Sequence, residues 1–179
     1  MKIKIEYNDE LDEFTYDLSL EGRLKKYITK HFYPAYAISV LAPIYLVGGA
    51  IRDLTYATHP KDMDFIVLGK EQQDWVLDIL ESYNIKYTLN KFGGYKINYN
   101  NKKIDLWIAE DLFSSMQYNV DGLYFNLNTN SLLSLTFNDF QKNGLKLVNK
   151  ENNIKNGREK KLKKFETKYL NKKTLPPQK

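Results

Sequence analysis

Asp62 and Asp64 stand two residues apart at the head of an alternating run, Met63 to Leu68, that reads as a strand. Successive side chains of a strand point to opposite faces, so both carboxylates share one face while Met63, Phe65 and Val67 turn into a core. Two carboxylates that close repel, and one takes up a proton unless a divalent cation lies between them. Magnesium suits such a pair, because it accepts a few carboxylates, several waters and substrate phosphates rather than a closed protein cage. A third carboxylate is offered by Lys103-Ile104-Asp105-Leu106-Trp107-Ile108, where the apolar residues occupy one face and leave Asp105 on the other. If the two strands are neighbours, Asp105 joins the pair; otherwise it is a strand-end acid facing Lys102 or Lys103. Three carboxylates can hold two magnesium ions about 3.5–4 Å apart, one activating a hydroxyl and the other steadying a leaving phosphate.

Upstream, Leu46-Val47-Gly48-Gly49-Ala50-Ile51-Arg52-Asp53 runs from strand through a diglycine into a helix. Glycines let backbone N–H groups approach a phosphate, the helix N-terminus favours negative charge, and Arg52 adds a planar donor fork. This reads as a triphosphate cradle, although a diglycine by itself is more often a tight turn.

The elements that must position these groups are legible in outline. A strand is expected over residues 2–7, and a helix within Leu20 to Leu41 with Leu24, Tyr27, Ile28 and Phe32 on one side, bent or ended by Pro34. A buried strand at Ile44 to Val47 leads into a helix to about Ala57. An amphipathic helix over Gln72 to Tyr83 precedes strands at Ile85 to Leu89, Tyr95 to Tyr99 and Lys103 to Ile108. Gly93-Gly94 and Asn100-Asn101 are the turns between those strands. A hairpin falls in Leu123 to Leu135 and a basic helix in Arg158 to Leu170. Together these give a mixed α/β (α+β) domain, with a partly antiparallel sheet and flanking helices.

The chain has 179 residues, 42% hydrophobic and 27% charged, the size of one domain with a modest core. It has no cysteine and two histidines, which excludes a disulfide framework, a thiolate zinc site and a cysteine nucleophile. The least polar stretch, Ala35 to Val47, is too short and too interrupted to cross a membrane. The N-terminus lacks the plan of a secretory signal, so a cytoplasmic protein is the expectation. Between Lys150 and Lys179 eleven Lys and Arg face three Glu, a net of +8, whereas residues 1–149 carry −3. Such a tail suits a polyanion, and it equally suits a solvated helix end. The charge shift divides the chain into 1–149 and a basic extension, 150–179.

The segment Leu46 to Gly69, LVGGAIRDLTYATHPKDMDFIVLG, resembles the head-domain signature of the bacterial CCA-adding enzyme and poly(A) polymerase family, within the DNA polymerase β-like nucleotidyltransferases. Both the G-G-x-x-R-D and the K-D-x-D-h-x-V elements are present at the family's spacing. The resemblance implies a polymerase β-like palm in which Asp62 and Asp64 bind metal and Asp105 is the third carboxylate. It also implies that Gly49 and Arg52 contact the nucleotide's phosphates, and with Gly48 of the same turn they are expected to position the triphosphate. Two magnesium ions and ATP or CTP are the implied cofactor and substrate. The acceptor would be a hydroxyl, foremost an RNA (tRNA) 3′ end held partly by Arg158 to Lys173.

Departures from that pattern keep rivals open. Ser115-Met116-Gln117-Tyr118-Asn119-Val120-Asp121 replaces the family's Arg-Arg-Asp, no E-D-x-x-R base-selecting motif is found, and the helical domains that follow the head are expected to be missing. One rival is a non-catalytic nucleotide-binding module that needs a protein partner. Another is a toxin-like enzyme acting on a protein or small-molecule hydroxyl. Tyr95, Tyr99, Tyr118 and Trp107 are candidates to stack on bases, with packing the commoner role. His31 and His59 are assigned to a helix and a loop.

Overall fold

The computed structural model describes residues 19–55, 58–114, 116–151 and 157. The expected strand at 2–7 and the basic segment Arg158 to Lys173 lie outside the described residues. Helix α1 (Leu20–Phe32) opens at Ser19, whose hydroxyl accepts from the Gly22 N–H at 3.1 Å. It buries Leu24, Tyr27, Ile28 and Phe32, the expected stripe. Pro34 cannot continue the hydrogen-bond ladder, and it becomes the first residue of a separate helix, α2 (Pro34–Ile38). Strand β1 (Ile44–Val47) leads to helix α3 (Gly49–Thr55) and strand β2 (Asp62–Leu68). Helix α4 (Gln73–Ser82) follows a single 3-10 turn.

Three strands come next: β3 (Tyr87–Leu89), β4 (Tyr95–Tyr99) and β5 (Lys102–Ala109). The first begins two residues later than expected, because the Ile85 N–H is still bonded to the Leu80 carbonyl at 2.8 Å and closes the end of α4. Strands β6 (Leu123–Asn126) and β7 (Ser131–Ser134) form the anticipated hairpin, and a short helix, α5 (Phe137–Asn143), follows.

The strands make one sheet in the order β3-β4-β5-β2-β1-β6-β7. Only β2 and β5 are parallel, and their connection runs through α4 and the β3–β4 hairpin. One face is covered by the helices. There Met63, Phe65, Val67 and Leu106 are fully buried against Leu24, Ile28, Phe32 and Ala50 of the main core. The opposite face is covered only in part, by a smaller cluster of Ile66, Leu112, Met116 and Tyr124, with Trp107 and Val47 packed against it. The expected site residues project from this half-open face. Among the described residues no helix is long and apolar enough to cross a membrane.

Candidate active site

Strand alternation delivers the carboxylates as the sequence implies. Met63, Phe65 and Val67 fill the core, so Asp62 and Asp64 stand on the open face of β2. In the parallel ladder Asp64 is the direct neighbour of Asp105, and Asp62 of Lys103. The hairpin ahead of β5 makes this possible. Asn100 (φ 46°) and Asn101 (φ 61°) adopt the left-handed conformation of a two-residue turn, pairing Tyr99 with Lys102 and Lys96 with Asp105. A one-residue slip would bury Asp105 and expose Ile104.

On the other side of Asp64 lies the diglycine. Val47 pairs with Asp64 across β1 and β2, and Gly48 turns away with φ 71°, so that a Cβ on it would sit 3.4 Å from Asp64 Oδ2. A Cβ on Gly49 would lie 3.8 Å from the Arg52 guanidinium. The bare turn, the Arg52 head and the carboxylates therefore adjoin one another. The turn, Arg52, Asp64 and Asp105 line a cleft of about 440 Å³ together with Ile66, Trp107, Gln117, Asp121 and Tyr124, and Asp62 is not among its lining residues.

Asp121 is the residue that sequence reasoning missed. It was placed in the stretch lacking the family's arginines, yet its carboxylate forms an ion pair with Arg52, which is buried. Its second oxygen accepts from the Tyr118 N–H at 3.1 Å. The segment carrying it is anchored by Asn119, fully buried, whose amide donates to Asp139 at 2.8 Å and to the Gly144 carbonyl at 2.9 Å and accepts from the Lys146 N–H at 2.8 Å. An acid two residues beyond a buried Asn, in a stretch with neither helical nor strand period, carries no sequence signal of its partner.

Electrostatically the cleft is short of positive charge. The Asp64 carboxyl is pushed up from 3.8 to about 7, first by burial, then by the charges of Asp62, Asp105 and Asp121, with Arg52 opposing. Among the described residues, no group of three or more His, Asp or Glu side chains is assembled to hold a metal ion. Asp62 is exposed at the first position of β2, whereas Asp64 and Asp105 are half-buried side by side. The donor chemistry nonetheless fits a hard divalent cation: carboxylate oxygens alone, one of them pushed towards protonation by burial and by its acidic neighbours.

The remaining candidates divide clearly. Tyr95 and Tyr118 are buried, Tyr99 packs edge-on against Phe32, and none of the three lines the cleft. Trp107 does line it, resting on Gly94, where a Cβ would come within 2.7 Å of the indole. His31 packs against the Tyr27 ring within α1, and His59 is exposed in a loop.

No protein-family model matches the chain, and no curated protein sequence does. Solved structures do match. The CCA-adding enzyme of Thermotoga maritima, in complex with tRNA, superposes with a TM-score of 0.51 at 18% identity, over 64% of this chain and 30% of that one. A CCA-adding enzyme in complex with ATP gives 0.50 at 18% identity, over 67% and 31%, and a tRNA-processing enzyme in an apo form gives 0.50 at 18%, over 63% and 36%.

The chain shares its fold with part of these CCA-adding and tRNA-processing enzymes. This bears out the mixed α/β architecture, a partly antiparallel sheet with flanking helices, expected from the sequence. The match spans about a third of those longer chains.

Proposed function

We propose that the chain is a magnesium-dependent nucleotidyltransferase, moving a nucleoside monophosphate from ATP or CTP onto a hydroxyl, foremost the 3′ end of a tRNA, with release of pyrophosphate. The observation that carries this reading is the register of Asp64 beside Asp105 in a cleft floored by the Gly48-Gly49 turn. Asp62, Asp64 and Asp105 would hold two magnesium ions, which supply Lewis-acid activation of the acceptor hydroxyl and neutralise charge on the leaving pyrophosphate. The chain's own residues do the positioning. Gly48 and Gly49 leave room for phosphate oxygens at the backbone, and Arg52 presents its guanidinium beside them. Trp107 and Tyr124 line the cleft on its apolar side, beside Ile66. In such a reaction orientation and charge compensation supply most of the acceleration.

A second reading is a nucleotide-binding module that needs a partner chain: Arg52 is already charge-compensated by Asp121, so its guanidinium must be shared or released before it serves a triphosphate. Incubation with α-labelled ATP or CTP, magnesium and total RNA, resolved on gels that separate RNA, protein and free metabolites, distinguishes the two. Label in RNA is expected. Nucleotide binding with no label in any fraction supports the module, and label in protein or metabolite reassigns the acceptor.

A further inference from the structure

Beyond the cleft, the open face of the sheet continues across β5, β4 and β3. The ladders place Lys103 next to Asn98, Asp105 next to Lys96, and Lys96 next to Thr88. Together with Lys86 these side chains line a groove of about 580 Å³. The groove and the cleft share one residue, Asp105. Lys86, Lys96 and Lys103 are all exposed, Lys96 beside Asp105 and Lys103 beside Asp62 in the ladders, and the Arg52–Asp121, Lys70–Glu110 and Lys146–Asp139 ion pairs involve none of the three. Lys103 thus stands two residues from the proposed catalytic carboxylate on β5, Lys96 one strand spacing away on β4, about 5 Å in the sheet plane, and Lys86 just ahead of β3.

We propose that this β3–β4–β5 groove binds the sugar-phosphate backbone of a single-stranded RNA acceptor and leads its terminal hydroxyl to Asp105. The inference deepens the proposed function and rests on it for the identity of the acceptor. Charge complementarity carries it. A strand's phosphates match lysines on β5, on β4 and just ahead of β3, and the side-chain amide of Asn98 and hydroxyl of Thr88 suit sugar hydroxyls. The groove is open and combines three lysines with the apolar side chains of Tyr87, Ile97 and Ile104, which suits a strand that offers both phosphates and base faces. It also places acceptor contacts inside the head fold, in addition to any made by the basic segment beyond Lys150.

The test uses the full chain, with Lys86→Ala/Lys96→Ala/Lys103→Ala as one variant and Lys96→Glu as a second. All these positions are exposed, and an unchanged melting temperature verifies that each variant folds. Binding of a labelled single-stranded RNA oligonucleotide is followed by fluorescence anisotropy between 50 and roughly 200 mM salt, where each lost phosphate contact lowers the log–log slope by about 0.7. The expected result is at least a tenfold loss of RNA affinity and a shallower salt dependence in the triple variant, with nucleotide affinity unchanged. Where transfer is measurable, the KM for acceptor rises and that for nucleotide stays. Unchanged RNA binding in both variants overturns the groove, as does a selective loss of nucleotide or of an acidic protein ligand. Because binding is read without turnover, loss of RNA affinity in a chain that transfers nothing upholds the groove while refuting the enzymatic reading.

Discussion

The buried guanidinium of Arg52 is paired with the carboxylate of Asp121, which joins the helix after the diglycine to a segment whose sequence announces no site. Removing one member leaves a buried charge with less compensation, which is costly where solvent cannot screen it. Asp121→Asn is therefore expected to lower stability by about 2–3 kcal/mol. A double-mutant cycle with Arg52→Ala should show coupling of at least about 1 kcal/mol by urea denaturation. Additive losses would mean that the two act independently.

Gly48 combines a left-handed backbone with contact to Asp64 Oδ2. In Gly48→Ala the backbone strain should cost about 1–2 kcal/mol. The added methyl also occupies the space beside the carboxylate into which a phosphate must come. Melting temperature and nucleotide affinity are expected to fall together; a variant that loses stability alone would leave the diglycine a turn and nothing more.

The Asp64 carboxyl predicts a pH dependence for the metal-free protein. Its folded-state value of about 7 lies above the 3.8 of the unfolded chain, so the folded state holds the proton more tightly. The resulting contribution is fully present below about pH 4 and is lost as pH rises through about 7. With allowance for solvent reaching a half-buried group, the loss is on the order of 1–2 kcal/mol. In chelator, stability should decline across this window, and magnesium should restore it at neutral pH. Asp64→Asn should flatten the profile and raise the neutral-pH melting temperature. A flat profile for the unmodified protein would contradict the crowding of carboxylates.

How much of this was legible follows from how local each signal is. The alternation of Met63, Phe65 and Val67 fixes the face of Asp62 and Asp64 within one strand, and the same holds for Asp105 beside Ile104 and Leu106. Pro34 and Asn100-Asn101 act through their own backbones and were readable for that reason. The adjacency of β2 and β5 was a supposition, since a parallel pair is made by a crossover through α4 and a hairpin that no local pattern encodes. Asp121 was invisible because its partner lies in another element, whereas the packing role expected for most tyrosines holds for Tyr95, Tyr99 and Tyr118. The lysine groove needed three strands in register before it could be seen.

The central claim is that Asp64 and Asp105, neighbours across β2 and β5, act together in nucleotide transfer. It is tested most directly by magnesium-dependent pyrophosphate release with tRNA acceptor and ATP or CTP, comparing the unmodified chain with Asp64→Asn and Asp105→Asn. Both variants remove a carboxylate from a repulsive cluster and should stay folded. The account predicts release by the unmodified chain and a loss of at least a thousandfold in each folded variant. Release that persists within tenfold in either would contradict it.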